Sequence, residues 1–338
     1  MRKSIRDLIP IFIVLVFGIF SWVPIASGQA PQPGAVLMLL NPVVGKAKIH
    51  TRYRTTIYAD GTVEGQGTGF SLTRQDGNVS FPVWQDSHNE LSFQMSVHTQ
   101  NINTNAVLPD AGVGFPKSLW DVRAGFTHRR MFENRWLGVV NVSLGSPSDE
   151  PFASADEISG QATAFLRVPH GIRNAWVFFL NYSNDREFLN GLPLPGVGYL
   201  YEPSGKAKVL FGIPITSAEW KPAGNVKLRL TYLLLRTIHA GAEVRMFRRL
   251  TWRADFFWWS RRYRRANRTR DDDRLFYNEK KVEGGVRVSL GNSVWVDFSG
   301  GFAFDRFYFE GEDYDDRDRD RLDLGDAVIG SFQIGTRF

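Results

Sequence analysis

Alternate residues from Ala327 to Phe338 divide into two chemically distinct sets. Val328, Gly330, Phe332, Ile334, Thr336 and Phe338 make one; Ile329, Ser331, Gln333, Gly335 and Arg337 make the other. A β-strand sends successive side chains to opposite faces, so this period of two gives one largely apolar face and one mostly polar face. The same period recurs along the chain. Ala47, Ile49, Thr51, Tyr53, Thr55 and Ile57 oppose Lys46, Lys48, His50, Arg52 and Arg54. Leu91, Phe93, Met95 and Val97 oppose Glu90, Ser92, Gln94, Ser96 and His98, and Leu250, Trp252, Ala254, Phe256 and Trp258 face away from Arg253 and Asp255. No segment sustains a 3.6-residue period with caps, so an all-β chain with little helix is expected.

The front of the chain reads as an export address. Arg2, Lys3 and Arg6 precede an apolar run from Leu8 to Val23, broken only by Pro10, Gly18 and Ser21, and Ala26-Ser27-Gly28 follow. Cleavage is expected before Gln29, giving a signal peptide over 1–28, a Pro-containing leader over 29–45 and a single domain over 46–338. An uncleaved anchor is the competing reading. It is weaker because a bilayer span needs about 20 apolar residues, and Pro24 and the small-residue site follow directly. No later segment is apolar enough for a membrane helix, so insertion in a bilayer must use strands.

Composition narrows the class. The absence of cysteine rules out a disulfide framework and thiolate zinc sites. The 32 Gly, 26 Phe, 10 Trp and 10 Tyr suit strands that carry aromatic girdles. Three basic residues and Asp7 leave with the signal peptide, so a formal charge of +6 becomes +4. That mild excess does not call for nucleic acid.

Connection lengths supply a separate test. With Phe338 as origin and strands counted backwards, the long polar loops near 102–117, 146–157, 185–194, 263–276 and 310–325 share one end by parity. The short connections Glu133-Asn134, Pro169–Gly171 and Gly291-Asn292 share the other. Long loops at one end and tight turns at the other are expected of a transmembrane, antiparallel, up-and-down β-barrel. Gln75–Ser87 is the exception, a long connection on the short side. Asp60-Gly61 offers tight-turn chemistry for the first hairpin. About fourteen strands are expected, with twelve and sixteen as bounds, because three segments between Pro195 and Trp220 fall below the about 9–11 residues of a spanning strand.

The closing strand, with Phe332, Ile334 and terminal Phe338, resembles that of bacterial outer-membrane β-barrels, whose final aromatic residue is read by the barrel-assembly machinery. Leu192-Pro193-Leu194-Pro195-Gly196-Val197-Gly198-Tyr199, with Pro203-Ser204 and Gly212-Ile213-Pro214, resembles a recurrent block in an uncharacterised outer-membrane β-barrel family, catalogued as a domain of unknown function. The resemblance implies a barrel in the outer membrane of a Gram-negative bacterium, in contact with its lipid and lipopolysaccharide. It brings no catalytic residues.

Candidate chemistry lies first in the lumen. The expected lining is Lys46, Lys48, His50, Arg52, Arg54, Arg229, Glu243, Arg245, Arg253, Asp255, Glu283, Arg287, Asp297 and Arg337. Unpaired arginines would make an anion-attracting pore. Alternatively the charges pair across strands, as Glu243/Arg245, Arg253/Asp255 and Glu283/Arg287 are spaced to do. Arg261, Arg262, Arg264, Arg265, Arg268 and Arg270 form a basic outer loop that could grip phosphates or be neutralised as a solvated loop. The acidic loop from Glu310 to Asp323 could hold Ca²⁺, but Arg317, Arg319 and Arg321 alternate with its aspartates, which favours plain solvation. No Gly-x-Ser-x-Gly, His-Glu-x-x-His or P-loop is present, so neither an enzyme nor a cofactor or metal site is indicated. The expected function is a passive, porin-like pore or small-solute porter with a charged, mildly basic lumen. A closed structural or adhesive barrel with binding outer loops is the alternative.

Overall fold

The computed structural model describes residues 40–186, 189–233 and 237–338; the expected signal peptide and most of the leader lie outside them. Among the described residues sixteen antiparallel strands close into one barrel. They are β1 (His50–Tyr58), β2 (Thr68–Gln85), β3 (Asn89–Thr104), β4 (Ser118–Met131), β5 (Leu137–Ser148), β6 (Ser159–His170), β7 (Asn174–Ser183) and β8 (Leu194–Ser204). The second half comprises β9 (Ala207–Ile213), β10 (Ile215–Trp220), β11 (Val226–Leu233), β12 (Thr237–Arg245), β13 (Leu250–Tyr263), β14 (Arg274–Leu290), β15 (Val294–Gly311) and β16 (Ala327–Arg337). Each strand pairs with its sequence neighbours, and β16 closes the ring on β1 from His50↔Arg337 to Tyr58↔Ile329. Short segments extend the closing pair towards the loops, Gly61–Val63 beyond β1 and Leu322–Leu324 ahead of β16. Among the described residues, helix is limited to single 3₁₀ turns at Ala155–Glu157 and Tyr314–Asp316.

Sixteen strands replace the expected fourteen because the short segments after Pro195 are all strands. β9 and β10 have only seven and six residues, yet they pair with each other from Ala207↔Trp220 to Leu210↔Ser217 and with β8 and β11 on either side. Two turn assignments also move. The first reversal occurs at residues 64–67, where Gly65 (φ +77°) and Gly67 (φ +60°) occupy the left-handed region that glycine tolerates; Asp60-Gly61 only interrupts a continuing strand. The supposed connection from Gln75 is mostly strand, since β2 runs on to Gln85. The true turn is Asp86 to His88, where the Asp86 carboxylate accepts from the backbone N–H of His88 (2.7 Å) and Asn89 (2.8 Å).

That correction removes the one exception to the parity of the connections. Every connection at the Arg337 end is now short, and the chain reversals with ten or more residues all lie at the opposite end. The two ends are called the turn end and the loop end below.

The barrel is apolar outside. Tyr53, Ile57, Phe126, Val142, Leu144, Phe178, Leu180, Val197, Phe211, Leu230, Val282, Phe298, Phe302, Val328 and Ile334 are exposed on outward faces around the circumference. The closing strand places Phe332, Ile334 and Phe338 on this side, with Ser331 and Gln333 facing inward. Close backbone approach requires glycine at Gly301, where an added Cβ would lie 2.1 Å from the Val282 carbonyl oxygen. At its neighbour Gly300 the nearest atom is 3.7 Å away. Gly301→Ala is therefore expected to destabilise the barrel by about 1–3 kcal/mol, and Gly300→Ala to be nearly neutral. Loss of the folded, heat-modifiable gel band with temperature measures both; equal midpoints would contradict the packing described.

Candidate functional site

The inward face carries most of the charge. Towards the turn end, Arg229 donates to Glu243 (Nη2–Oε1 2.7 Å), and Arg287 lies 3.7 Å from Glu243 and 3.3 Å from Asp297. Arg253 grips Asp297 through two bonds of 2.7 Å and reaches Asp255 at 2.6 Å, while Asp255 also meets His239 at 2.8 Å. Glu283 accepts from Arg54 at 2.5 Å and from Lys281 at 3.0 Å. Of the three pairings read from sequence, Arg253/Asp255 forms directly. Glu243 takes Arg229 instead of Arg245, and Glu283 takes Arg54 and Lys281 instead of Arg287.

The remaining expected lining residues sit lower. His50 and Arg52 face inward near the start of β1, and Arg245 and Arg337 are exposed at the ends of their strands. Lys46 and Lys48 are exposed ahead of β1. The turn-end half of the lumen is thus a vestibule with part-exposed walls, in which Lys227, Arg229, Glu243 and Arg287 keep water contact.

Higher up, side chains cross the lumen. Arg261 of β13 reaches Asp76 of β2 at 3.2 Å, and Asp76 also holds His98 at 2.6 Å. Arg74 of β2 meets Glu279 of β14 at 3.2 Å and stacks 4.0 Å over Trp259 of β13. Around them lie four buried tyrosines. Tyr277 donates to Glu279 at 2.6 Å, Tyr308 donates to Gln100 at 2.5 Å, Gln100 donates to Tyr263 at 3.2 Å, and Arg74 donates to Tyr58 at 3.1 Å. Charge pairs held this way are costly to break, because removing one partner strands the other in a low-dielectric interior.

A loop completes the closure. Ala106, Leu108 and Phe115, from the β3–β4 connection, are buried against inward residues of eight strands. These include Tyr58, Phe70, Leu72, Ile102, Leu119, Tyr263, Tyr277, Tyr308 and Ile329. Leu108 has no accessible surface. Two polar latches hold the insert. The Asp320 carboxylate accepts from the backbone N–H of Asp110 (2.8 Å) and Ala111 (2.9 Å), and the Asp110 carboxylate accepts from the Asp320 N–H (2.7 Å). The Gln66 amide pairs with both backbone groups of Val107, at 2.7 and 3.0 Å.

The wall from β5 to β11 differs. Its inward residues Leu137, Val139, Phe165, Val177, Phe179, Leu200, Leu210, Ile215 and Leu233 form a separate apolar cluster, on which Leu40 and Val44 of the leader pack. Arg129 ties the leader down by donating to the carbonyls of Asn41 and Val43 and to Glu90 at 3.0 Å. On the same wall, nearer the turn end, Lys208 pairs with Glu202 at 3.4 Å and Lys227 with Glu219 at 2.8 Å, so apolar and charged inward residues share these strands.

The arginine-rich segment does not form one exposed patch. Arg261 points into the lumen. Arg262, Arg264 and Arg265 are buried: Arg262 donates to the Asp185 carbonyl at 3.0 Å, and Arg265 grips Glu310 at 2.8 and 2.6 Å. Arg264 donates to the carbonyl of Asp156, and its own backbone pairs with Pro147 and Asp149 at the end of β5. Arg268 meets Glu157 at 2.6 Å; Arg270 is exposed. The neutralising acids come from other loops and from the end of β15, so the β13–β14 hairpin is strapped over the mouth. Among the described residues no group of acids or histidines has the geometry to hold a metal ion.

Asp185 anchors this strap. Burial pushes its carboxyl upwards, but the guanidiniums of Arg262, Arg264 and Arg274 outweigh burial and hold it below the ordinary 3.8. A depressed carboxylate contributes stability above its unfolded value and loses it as pH falls through the folded one. Asp185→Asn is therefore expected to loosen the loop end at neutral pH, with a penalty that shrinks below about pH 4. Protease sensitivity of the β7–β8 connection measures this; a difference that is flat in pH would contradict the assignment.

No family model matches the chain, and no curated protein matches it. Solved structures with some likeness include an outer membrane channel of Pseudomonas putida F1, at 7% identity and TM-score 0.40, covering 92% of this chain and 100% of that one. The toluene transporter TodX of Pseudomonas putida has 8% identity and TM-score 0.38, over 92% and 95%. OccK7 of Pseudomonas aeruginosa has 8% identity and TM-score 0.35, over 86% and 99%. At these values the likeness adds nothing to the barrel already defined by its strand pairing.

Proposed function

We propose that this chain is a bacterial outer-membrane barrel that passes small solutes through a gated lumen. Its membrane setting is supported by the apolar exterior and by exposed tryptophans near the turn end, Trp84, Trp136, Trp176, Trp220 and Trp252, as expected of an interfacial girdle. The sorting of long loops to one end supports the same setting, with the loops outside the cell.

One observation carries the gated reading: the loop-end mouth is closed by loops, the Ala106–Phe115 insert together with the β13–β14 strap, rather than by the barrel strands. A sixteen-stranded ring is wide enough to leave an aqueous channel. An insert held by a few latches can leave it. The paired charges of the vestibule argue against a strongly anion-selective filter.

Planar-bilayer recording of the refolded full chain tests this. Wild type is expected to open briefly. Asp110→Ala with Asp320→Ala removes three carboxylate hydrogen bonds from the closed state, each worth about 1.5 kcal/mol or more, so the ratio of open to closed time is expected to rise at least about tenfold. Silence of both proteins at every salt concentration would sink the pore and leave a structural or adhesive barrel.

A further inference from the structure

The turn end carries a second pattern that passage through the lumen does not require. Five consecutive turns, β4–β5 to β12–β13, each bear an exposed basic residue: Arg135, Arg173, Lys206, Lys221, and Arg248 with Arg249. Glu133 is the one acid within these turns. Three of these turns also expose large apolar side chains at their tips. Ile172 is fully exposed, and Phe132, Met246 and Phe247 protrude likewise. Exposed tryptophans lie beside them, Trp136 next to Arg135, Trp176 following Arg173, Trp220 preceding Lys221 and Trp252 following Arg249. The loop end has the opposite character, with Glu312, Asp313, Asp315, Asp316 and Asp318 in one connection alone.

We infer that this arc of basic and apolar turn tips binds the headgroups of anionic phospholipids in the leaflet facing the turn end. Three features favour lipid over a protein partner. The cations follow the rim over five turns instead of gathering in one patch, which matches an annulus and not a focal contact. Ile172, Met246 and Phe247 lie just beyond the level of Trp176 and Trp252, where a bilayer has its headgroup region. Cations at that depth attract acidic lipid, and the attraction is screened by salt. The inference rests on the membrane setting proposed above, and its test separates the two.

The test refolds the full chain into phosphatidylcholine vesicles with and without phosphatidylglycerol and follows the heat-modifiable gel band with temperature. Phosphatidylglycerol is expected to raise the wild-type midpoint by about 5 °C at low salt, with the gain lost at high salt. A variant with Arg135, Arg173, Lys206, Lys221, Arg248 and Arg249 all changed to Gln is expected to lose that response while keeping its band. Comparing the two proteins cancels any contribution of the acidic loops. Ile172→Ser with Phe247→Ser is expected to lower the midpoint in both vesicle types. A wild-type midpoint indifferent to phosphatidylglycerol, or a variant that responds as wild type does, overturns the lipid assignment and leaves the arc as a surface for an acidic protein. Absence of any heat-modifiable band would instead overturn the membrane barrel itself.

Discussion

Replacing Ala106–Phe115 with a short Gly-Ser linker is expected to leave the barrel standing open. The insert contributes Leu108 and Phe115 to a cluster built from inward residues of eight strands, and each such side chain contributes about 1.5–3 kcal/mol on burial. Removing both withdraws enough from the closed state to shift the balance towards open by on the order of a hundredfold or more. The recording should show sustained current where wild type shows brief openings. The strands themselves keep every ladder bond, so the heat-modifiable band should persist. A linker variant as silent as wild type would mean that the β13–β14 strap, with the layer of Arg74, Glu279 and the tyrosines, closes the lumen without the insert.

The second large effect belongs to Arg253. It binds Asp297 and Asp255 through three bonds of 2.7 Å or less and donates to Ser299 at 3.0 Å. Asp297 is fully buried. Truncation leaves two carboxylates facing each other, with Arg287 as the nearest remaining cation to Asp297 at 3.3 Å. Arg253→Ala is expected to cost about 3–5 kcal/mol in denaturant unfolding from detergent. Arg253→Met combined with Asp297→Asn should recover part of that loss, because a smaller uncompensated charge remains. A loss below about 1 kcal/mol for the single variant would place these groups in water instead of in a packed wall.

The sequence exposes some of this architecture and conceals the rest for physical reasons. The closing strand shows its two faces plainly because the membrane side and the lumen side differ in polarity at nearly every step. Sorting of the connections is visible for the same reason, since Phe338 fixes the direction of count. Asp76-Gly77 misleads: the pair falls in the connection expected over Gln75–Ser87, yet it lies in the middle of β2. Its aspartate is held by His98 and Arg261, the latter from a strand across the lumen, and no local window contains that partner. The arginine segment misleads likewise, because Asp185 and Glu157 reach it from two separate loops and Glu310 from the end of β15. The insert left a legible mark that charge counting passes over. Ala106, Leu108 and Phe115 are apolar residues inside a long loop, and all three are buried in the mouth.

Cross-linking the latch tests the account most directly. Reciprocal side-chain-to-backbone bonds hold Asp110 and Asp320 within reach of each other, and the chain contains no cysteine to compete. Asp110→Cys with Asp320→Cys gives a barrel whose insert is tied when oxidised and released when reduced. No current is expected from the oxidised protein, and openings longer than those of wild type are expected after reduction in the same bilayer. Equal current in the two redox states would contradict a lumen gated by this loop.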